Sequence, residues 1–596
     1  MALDYTTPVK RPLQVYAFDP TLGRHLGNEM TISVRYEKLG KGPVGERFAV
    51  VDYDGSTKTF LAPVDLDDPK ILICGGLDPT ESDPRFHQQM VYAVASETLE
   101  RFEAALGRRL HWRYPLGPDK KPVARRRNRL YLFPHAMVQA NAFYDPDTHG
   151  ILFGYFRAGD VEGAQVLPGQ TIFTCLSHDI IAHETTHAVV DGIRPGFMEP
   201  TNVDVPAFHE AFADLAALFR HFSHREVLLD TLQRTGGMLY QSTLRADVPG
   251  AAPTAPAEIE AQVTPDNPLI ELARQFGQVS GLHSGLRSAL GTPQDPHAIM
   301  STTEPHARGA ILVAAVFDAY FSVYVQQTAD LFRTFRAGGG SANPVELPGP
   351  LANLLAIKAS RTAELFFSVC ARALDYCPPI DITFGDFLRA LITADLDLYP
   401  SDSYNVRDAV MQAFRARGIL PSDAAFFSED ALRWPVETEL PAVRGLIFGD
   451  PNGLTNTEQD RDATTLWKYA DKHRAALGIG RGEISVPSFH PTFRTDEDGM
   501  LKIDMVAVVL EDDPGPRSAE PSPDGPQRPR AGATLIIEKS PIDADRSDAT
   551  ETVSAIRYVI KKRLGPSRDA AYSAAVALGL TDDRGRIKFS SLHGGV

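Results

Sequence analysis

The spacing of hydrophobic and polar residues changes twice along the chain. In the first 75 residues, short runs such as TISVRYEKL and RFAVVDYDG alternate between apolar and polar positions, which predicts the strands of a small sheet. Residues 86–108 then show helical spacing, and RLYLFPHAMVQANAFYDPDTHGILFGYF predicts two strands around a turn at 144–150. We therefore expect a β-rich first lobe with one long helix.

Helical spacing dominates after residue 195. Four segments separated by Gly- and Pro-rich loops carry it: 206–222, 306–332, 351–374 and 406–418. Beyond about residue 430 strand-like patterns return, at 501–512, 532–539 and 555–564, around a Pro-rich stretch near 512–531 that is predicted to be disordered. The predicted fold class is α+β.

These patterns divide the chain into three predicted parts. Residues 1–195 form the β-rich lobe, residues 196–428 a mostly helical lobe, and residues 429–596 an accessory α+β module. A chain of 596 residues exceeds what one core normally holds, and 43% hydrophobic with 23% charged residues is an ordinary globular composition.

Charge and hydropathy restrict the partners and the location. A formal charge of -16 argues against binding to nucleic acid or to an anionic membrane, and the basic run at 125–129 has a loop-like context. We find neither a signal-peptide pattern nor eighteen uninterrupted apolar residues, so we expect a cytoplasmic protein without a membrane segment. The oligomeric state stays unknown.

The four cysteines are too few and too scattered for a disulfide framework, which favours a reducing compartment. A single bridge between Cys370 and Cys377 remains an open alternative.

The segment SHDIIAHETTHAVVDG, at 177–192, has the spacing of a metal site. On a helix, His183 and His187 lie on one face and can direct ring nitrogens at one ion, with Glu184 beside them. Two imidazoles on a rigid backbone suit Zn²⁺. The alternative is an ordinary amphipathic helix with hydrogen-bonded histidines, but the apolar flanks predict burial, which is costly for unpaired polar groups.

A catalytic zinc needs a third protein ligand and an open position for water. Val190 and Ile193 exclude the metzincin extension, which requires glycine and histidine there. In the next predicted helix, AFHEAFADLAALFRHF, Glu210 can ligate and Asp214 can accept a hydrogen bond from a ligating histidine. The alternatives for the third ligand are the histidines at 209 and 221 and the aspartate at 204; we prefer Glu210.

The order of these motifs resembles that of the thermolysin-like (M4) zinc metallopeptidases, the gluzincins, in which HExxH is followed on the next helix by ExxxD. The resemblance spans about residues 85–330 by motif. It implies a β-rich lobe and a helical lobe with the active-site helix between them, to which residues 429–596 are appended. It also implies zinc held by His183, His187 and Glu210.

Three further stretches are similar to motifs of that family, and they imply substrate contacts. QANAFYD resembles its edge strand, in which Asn141 and the backbone of Ala142 pair with an extended peptide; the alternative is an ordinary hairpin turn. GLRSAL resembles the pair in which Arg287 holds a substrate carbonyl and Leu286 lines the pocket after the scissile bond; the alternative is a surface arginine. Ile180 would line the same pocket.

EPHARGAILVAAVFDAY resembles the family's late histidine, so His306 would donate a hydrogen bond to the oxyanion; the alternative is a helix-terminal histidine. Glu304 and Asp295 are candidates for the carboxylate that orients it. Asp179 falls where the family has a calcium ligand, but His221 stands where the partner carboxylate is expected, which makes bound calcium doubtful.

The expected function is a zinc-dependent endopeptidase that cleaves peptides or proteins before apolar residues, with Glu184 as general base for a zinc-bound water. Secreted members of the family carry a propeptide that is not recognised here, so we expect an intracellular or unconventionally released branch, restrained in another way. The alternatives are a catalytically inactive zinc-containing scaffold that binds through its C-terminal module, and a zinc enzyme acting on a non-peptide bond.

Overall fold

The computed structural model describes residues 8–17, 20, 28–113, 128–159, 169–234, 294–340, 347–448, 456–496, 498–512, 529–539, 553–565 and 568–593. These residues form a mixed α+β structure, as the patterns predict. The helices are α1 Pro69–Ile73, α2 Pro84–Leu106, α3 His178–Ile193, α4 Asp204–Ser223, α5 Arg225–Arg234, α6 Ala298–Ser301, α7 Pro305–Ala337, α8 Gly349–Ala373, α9 Phe384–Leu398, α10 Val406–Ala416, α11 Glu429–Leu432, α12 Asn456–Lys472, α13 Arg568–Ala577 and α14 Phe589–Leu592. The strands are β1 Lys10–Tyr16, β2 Glu29–Arg35, β3 Phe48–Val50, β4 Tyr53–Asp54, β5 Thr59–Phe60, β6 Leu130–Met137, β7 Ala142–Asp145, β8 Gly150–Arg157, β9 Thr171–Phe173, β10 Val443–Arg444, β11 Glu483–Thr495, β12 Leu501–Asp512, β13 Pro529–Lys539 and β14 Val553–Arg563.

A mixed sheet within residues 48–173 has the strand order β3-β6-β8-β7, and β9 pairs with β8. The prediction of two strands in the 130–157 region is wrong, because the chain reverses before β7 as well as after it and so forms three strands. The second reversal is closed by the Asp145 carboxylate, which accepts hydrogen bonds from the backbone N–H groups of Asp147 and Thr148 at 3.1 and 3.2 Å. Within this sheet β7 is an edge strand, paired with β8 alone among the described strands.

The long helix predicted for residues 86–108 is confirmed as α2. It has Pro84 in its first turn, where a missing N–H costs nothing, and the Asp83 carboxylate caps the N–H of Arg85. Gly107 ends it with φ 67°, a left-handed conformation that glycine adopts without strain.

The four helices predicted after residue 195 are confirmed as α4, α7, α8 and α10. The patterns did not predict α9, although Thr383 and Asp386 form a capping box at its start. Of the described helices, α7 alone is long and apolar enough to cross a membrane. However, 72% of its apolar window is buried in the fold, as in the core helix of a globular protein.

The last part of the chain forms an antiparallel sheet in the order β10-β14-β13-β12-β11. One face builds a small core of its own with α12, and the other face, with Val506, Ile536 and Tyr558, joins the main hydrophobic core. Arg557 Nη2 bonds Asp397 Oδ1 at 2.8 Å across this contact. The predicted insert lies mostly outside the described residues, but 512 and 529–531 belong to strands.

All four cysteines are free, so the alternative of a Cys370–Cys377 bridge is not realised.

Candidate metal centre

Helix α3 carries the HExxH motif through the interior, against β7 on one side and α4 on the other. Apolar residues on several faces, such as Ile181 and Val190, bury the helix nearly all round. Glu184 and Glu210 are each only 1% exposed. Buried carboxylates require strong partners, and here the partners are histidines.

Three potential ligand atoms converge between α3 and α4. His183 Nε2 lies 3.0 Å from His187 Nε2, and the Glu210 carboxylate lies 3.4 Å from His183 Nε2 and 3.7 Å from His187 Nε2. Four donors around a zinc ion at 2.0–2.1 Å are separated by about 3.3 Å in a tetrahedral arrangement. The spacing and the chemistry of this donor set therefore fit a tetrahedral zinc ion.

Asp214 stands behind His183, with its Oδ1 2.9 Å from His183 Nδ1. A carboxylate there favours the proton on Nδ1 and leaves the lone pair of Nε2 directed at the convergence point. Burial lowers the pKa of His183, but contacts with Asp214 and Glu210 outweigh it and raise that pKa to about 10. The same negative potential that favours a proton favours a divalent cation.

The competing ligand candidates lie elsewhere. His209 packs beside His187, with ring centroids 5.7 Å apart, and burial lowers its pKa to about 4. His221 pairs with Asp179 through Nε2, so this aspartate, at the family's calcium position, has a histidine as its partner. Asp204 pairs with Arg308 and accepts the N–H of Phe384 at 3.0 Å.

Glu184 is held by the edge strand. Its Oε2 accepts the backbone N–H of Tyr144 at 2.8 Å, and the Tyr144 hydroxyl donates to Asp191 Oδ2 at 2.9 Å. Glu184 is thereby fixed between the metal-ligand candidates and β7, the strand that the sequence analysis assigns to substrate.

His306, at the start of α7, also reaches Glu210. Its Nε2 lies 3.3 Å from Glu210 Oε2, and its Nδ1 lies 3.0 Å from Glu304 Oε1. Of the two candidate orienting carboxylates, Glu304 contacts His306, while Asp295 accepts the N–H of His297. Burial lowers the pKa of His306, but Glu210 and Glu304 raise it to about 9.

The predicted substrate residues are only partly described. Asn141 and Ala142 lie at the start of β7 and are buried, and Ile180 is in the hydrophobic core at the first turn of α3. Leu286 and Arg287 lie outside the described residues, so their assignments stay predictions.

His593, which follows α14, is a further candidate ligand that no sequence motif predicted. Its Nε2 lies 3.3 and 3.2 Å from the two Glu210 oxygens, and its Nδ1 lies 3.2 Å from Glu184 Oε1. Burial lowers the pKa of His593, but Glu184 and Glu210 raise it well above its usual value. No spacing motif surrounds this histidine in the sequence. It contacts Glu210, which is 383 residues away in the chain, only because the fold brings the two residues together.

No protein-family model matches the chain, and no curated protein is significantly similar to it.

Proposed function

We propose that the protein is a zinc-dependent endopeptidase with the two-lobe arrangement of the thermolysin-like enzymes. The observation that carries the proposal is the convergence of His183, His187 and Glu210 at 3.0–3.7 Å, with Glu184 fixed beside them. Asp214 supports this set from behind, as a ligating histidine requires.

Zinc held by these three residues would supply Lewis-acid chemistry, polarising a substrate carbonyl and acidifying a bound water. The residues of the chain do the remainder. Glu184 takes the proton of the attacking water and delivers it to the leaving amine. His306, oriented by Glu304, is the candidate donor to the negative charge that develops on the carbonyl oxygen.

The edge strand β7 supports a peptide as the substrate. Its outer side has no partner strand among the described residues, so an extended peptide can add to it through backbone hydrogen bonds. Asn141 lies at the start of this strand, and Glu184 is bonded to the N–H of Tyr144 within it. A peptide bond paired with β7 would therefore lie close to the general base. We further propose that Ile180 and Leu286 favour an apolar residue after the cleaved bond.

A zinc-containing scaffold is the second candidate, and one observation favours it. His593 supplies an additional nitrogen ligand close to the site, and a site closed by protein ligands is typical of structural rather than catalytic zinc. The two candidates differ in one property: a peptidase cleaves once the site is opened, whereas a scaffold does not.

The test compares two variants. The parent is His593→Ala, in which the site is opened, and the second variant carries the additional change Glu184→Gln. Both proteins receive a diverse peptide mixture, products are mapped by mass spectrometry and bound zinc is counted. We expect the parent to cut before apolar residues and the Glu184→Gln form to cut at least 10³-fold more slowly at equal zinc content, since the transferring carboxylate is gone. Equal cutting by both would refute the role of Glu184; no cutting by the opened, zinc-loaded parent would favour the scaffold.

A further inference from the structure

The residues that follow α13 run from the surface into the metal site. Thr581 and Ile587 form an antiparallel bridge, and the Ile587 N–H donates to the Met198 carbonyl at 2.7 Å. Arg586 Nη2 bonds Asp147 Oδ1, in the turn after β7, at 2.7 Å. This segment is therefore attached to both lobes beside the edge strand.

Phe589 fills the space next to the candidate ligands. It is 1% exposed, and its ring stacks on His187 with centroids 4.2 Å apart and planes 28° apart. The centroid of the Tyr144 ring lies 6.1 Å from that of Phe589. An aromatic ring in this position both anchors the segment and excludes water from the site.

The two residues assigned to substrate binding contact this segment instead. Asn141 Nδ2 donates to the Ser590 carbonyl at 3.4 Å, and the Ala142 carbonyl lies 3.0 Å from His593 Nδ1. A backbone carbonyl only accepts, so Nδ1 carries a proton, and Nε2 is the atom that faces Glu210. Where a metal ion takes the place of the proton that Nε2 shares with the Glu210 carboxylate, the imidazole held in this way offers the lone pair of Nε2 to that ion.

We infer that Phe589–His593 is a latch, in which His593 is the fourth ligand to the metal ion and α14 fills the substrate cleft. The inference rests on the proposed function, because a latch regulates the protein only if the site cleaves peptides. With the latch in place, the metal ion has no position for water and β7 has no room for a peptide. Its anchors are noncovalent, so cutting the exposed connector around Leu578, which is 72% exposed, gives the latch a route of release.

The latch is shaped to resist cleavage. Its backbone is helical, and the His593 and Ser591 N–H groups donate within the segment, to the carbonyls of Phe589 and Lys588 at 2.9 and 3.0 Å. A substrate added to an edge strand must instead be extended and must offer its N–H groups to that strand. The latch therefore occupies the cleft without presenting a scissile bond in that register.

The test replaces zinc with cobalt, whose visible absorption reports the number and type of its ligands. We compare the full chain, His593→Ala, and His473→Ala as the matched control, because His473 packs on Tyr469 in the C-terminal module. We expect His593→Ala alone to shift the cobalt bands, and added imidazole to restore them by filling the vacated position. Peptide cleavage by the zinc form of His593→Ala should exceed that of the full chain at least tenfold.

The outcomes separate the two proposals. Shifted bands without cleavage would keep the latch and refute the peptidase. Unchanged bands in a folded His593→Ala protein would overturn the latch, whatever the cleavage result, and would leave His593 as an ion-pair partner of Glu184 and Glu210. If that variant does not fold, a site for a specific protease is inserted after Leu578 in the full chain. Cutting this protein must then shift the cobalt bands, and their constancy after the cut segment is washed away would overturn the latch.

Discussion

Two of the buried histidine clusters in the described part of the chain, one around His87 and His135 and one around His183 and His187, differ in how their nitrogen atoms are used. In the first cluster, His87 Nε2 lies 3.2 Å from the Glu81 carbonyl, and His87 Nδ1 lies 2.9 Å from His135 Nε2. His135 Nδ1 in turn lies 2.7 Å from Asp52 Oδ1. Since the Glu81 carbonyl only accepts, His87 Nε2 and His135 Nε2 are the donors, one further proton lies between His135 Nδ1 and Asp52, and every nitrogen has a partner.

In the second cluster, hydrogen bonds among the described residues do not give every ring nitrogen a partner. His183 Nε2 and His187 Nε2 face each other at 3.0 Å, both face the Glu210 carboxylate, and the buried His187 Nδ1 has no hydrogen-bond partner among the described residues. Asp214 favours a proton on His183 Nδ1. The Nε2 atoms of His183 and His187 are then best placed to donate their lone pairs to a cation.

The comparison shows that a group of histidines is not by itself a metal site. The first cluster also includes Cys175, but burial raises the pKa of its thiol well above the usual value, which disfavours the thiolate that a metal requires. What distinguishes the second cluster is the convergence of His183 Nε2, His187 Nε2 and the Glu210 carboxylate on one point, beside a buried His187 Nδ1 that has no hydrogen-bond partner among the described residues.

Zinc-dependent stability tests the contrast most strongly. We compare His187→Ala with His135→Ala by thermal unfolding with and without zinc. At a free zinc concentration of about 1,000 Kd, the unchanged protein should gain about 4 kcal/mol, since zinc binds the folded site. His187→Ala should lose that gain, while His135→Ala should keep it on a lower baseline.

The reverse pattern, with the zinc effect lost in His135→Ala and kept in His187→Ala, would move the metal site to the first cluster. If both variants kept the full stabilisation by zinc, the ion would bind at neither cluster.

Zinc affinity tests the same contrast between the carboxylates of the two clusters, Asp214 and Asp52. Asp214→Ala should weaken zinc binding by about 10–100-fold, because a carboxylate behind a ligating histidine fixes its tautomer and raises its basicity. Asp52→Ala is the control, since Asp52 bonds His135 Nδ1 in the same manner but in the other cluster. Competition with a chromophoric chelator measures both, and an equal loss in the two variants would contradict the assignment.

Sequence reasoning reached the parts of the site that follow from local periodicity. His183 and His187 are four residues apart on one helix, and Glu210 precedes Asp214 by the same interval on the next, so the helical repeat alone sets their faces. The helices α2, α4, α7, α8 and α10 were predictable from helical spacing of their apolar residues, and the strands β12 to β14 from their runs rich in apolar residues.

The rest depends on tertiary contacts that spacing does not encode. The sequence left open which carboxylate faces His306, and the Glu304 contact depends on the capping geometry at the start of α7. His593 reaches Glu210 only because Arg586, Ile587 and Phe589 anchor the segment before it. The division of 130–157 into three strands likewise depends on the hydrogen bond that the Gly154 N–H donates to the Asn141 carbonyl, at 2.8 Å, at the extra reversal.

The effect that is smallest within any one pH unit concerns the acid side of the stability profile and the first cluster alone. Burial, with the neighbouring His135, lowers the pKa of His87 to about 3, whereas in the unfolded chain its pKa is about 6.5. Between these values the unfolded chain binds the additional proton, so stability is complete above about pH 6.5 and falls as the pH decreases. The contribution of this one group is about 1.4 kcal/mol per pH unit. Denaturant unfolding of the zinc-loaded protein and of His87→Gln between pH 4 and pH 7, at about 0.5-unit steps, measures it. The variant should show the shallower slope, by about that amount, and parallel profiles would mean that His87 takes up its proton in the folded protein as readily as in the unfolded chain.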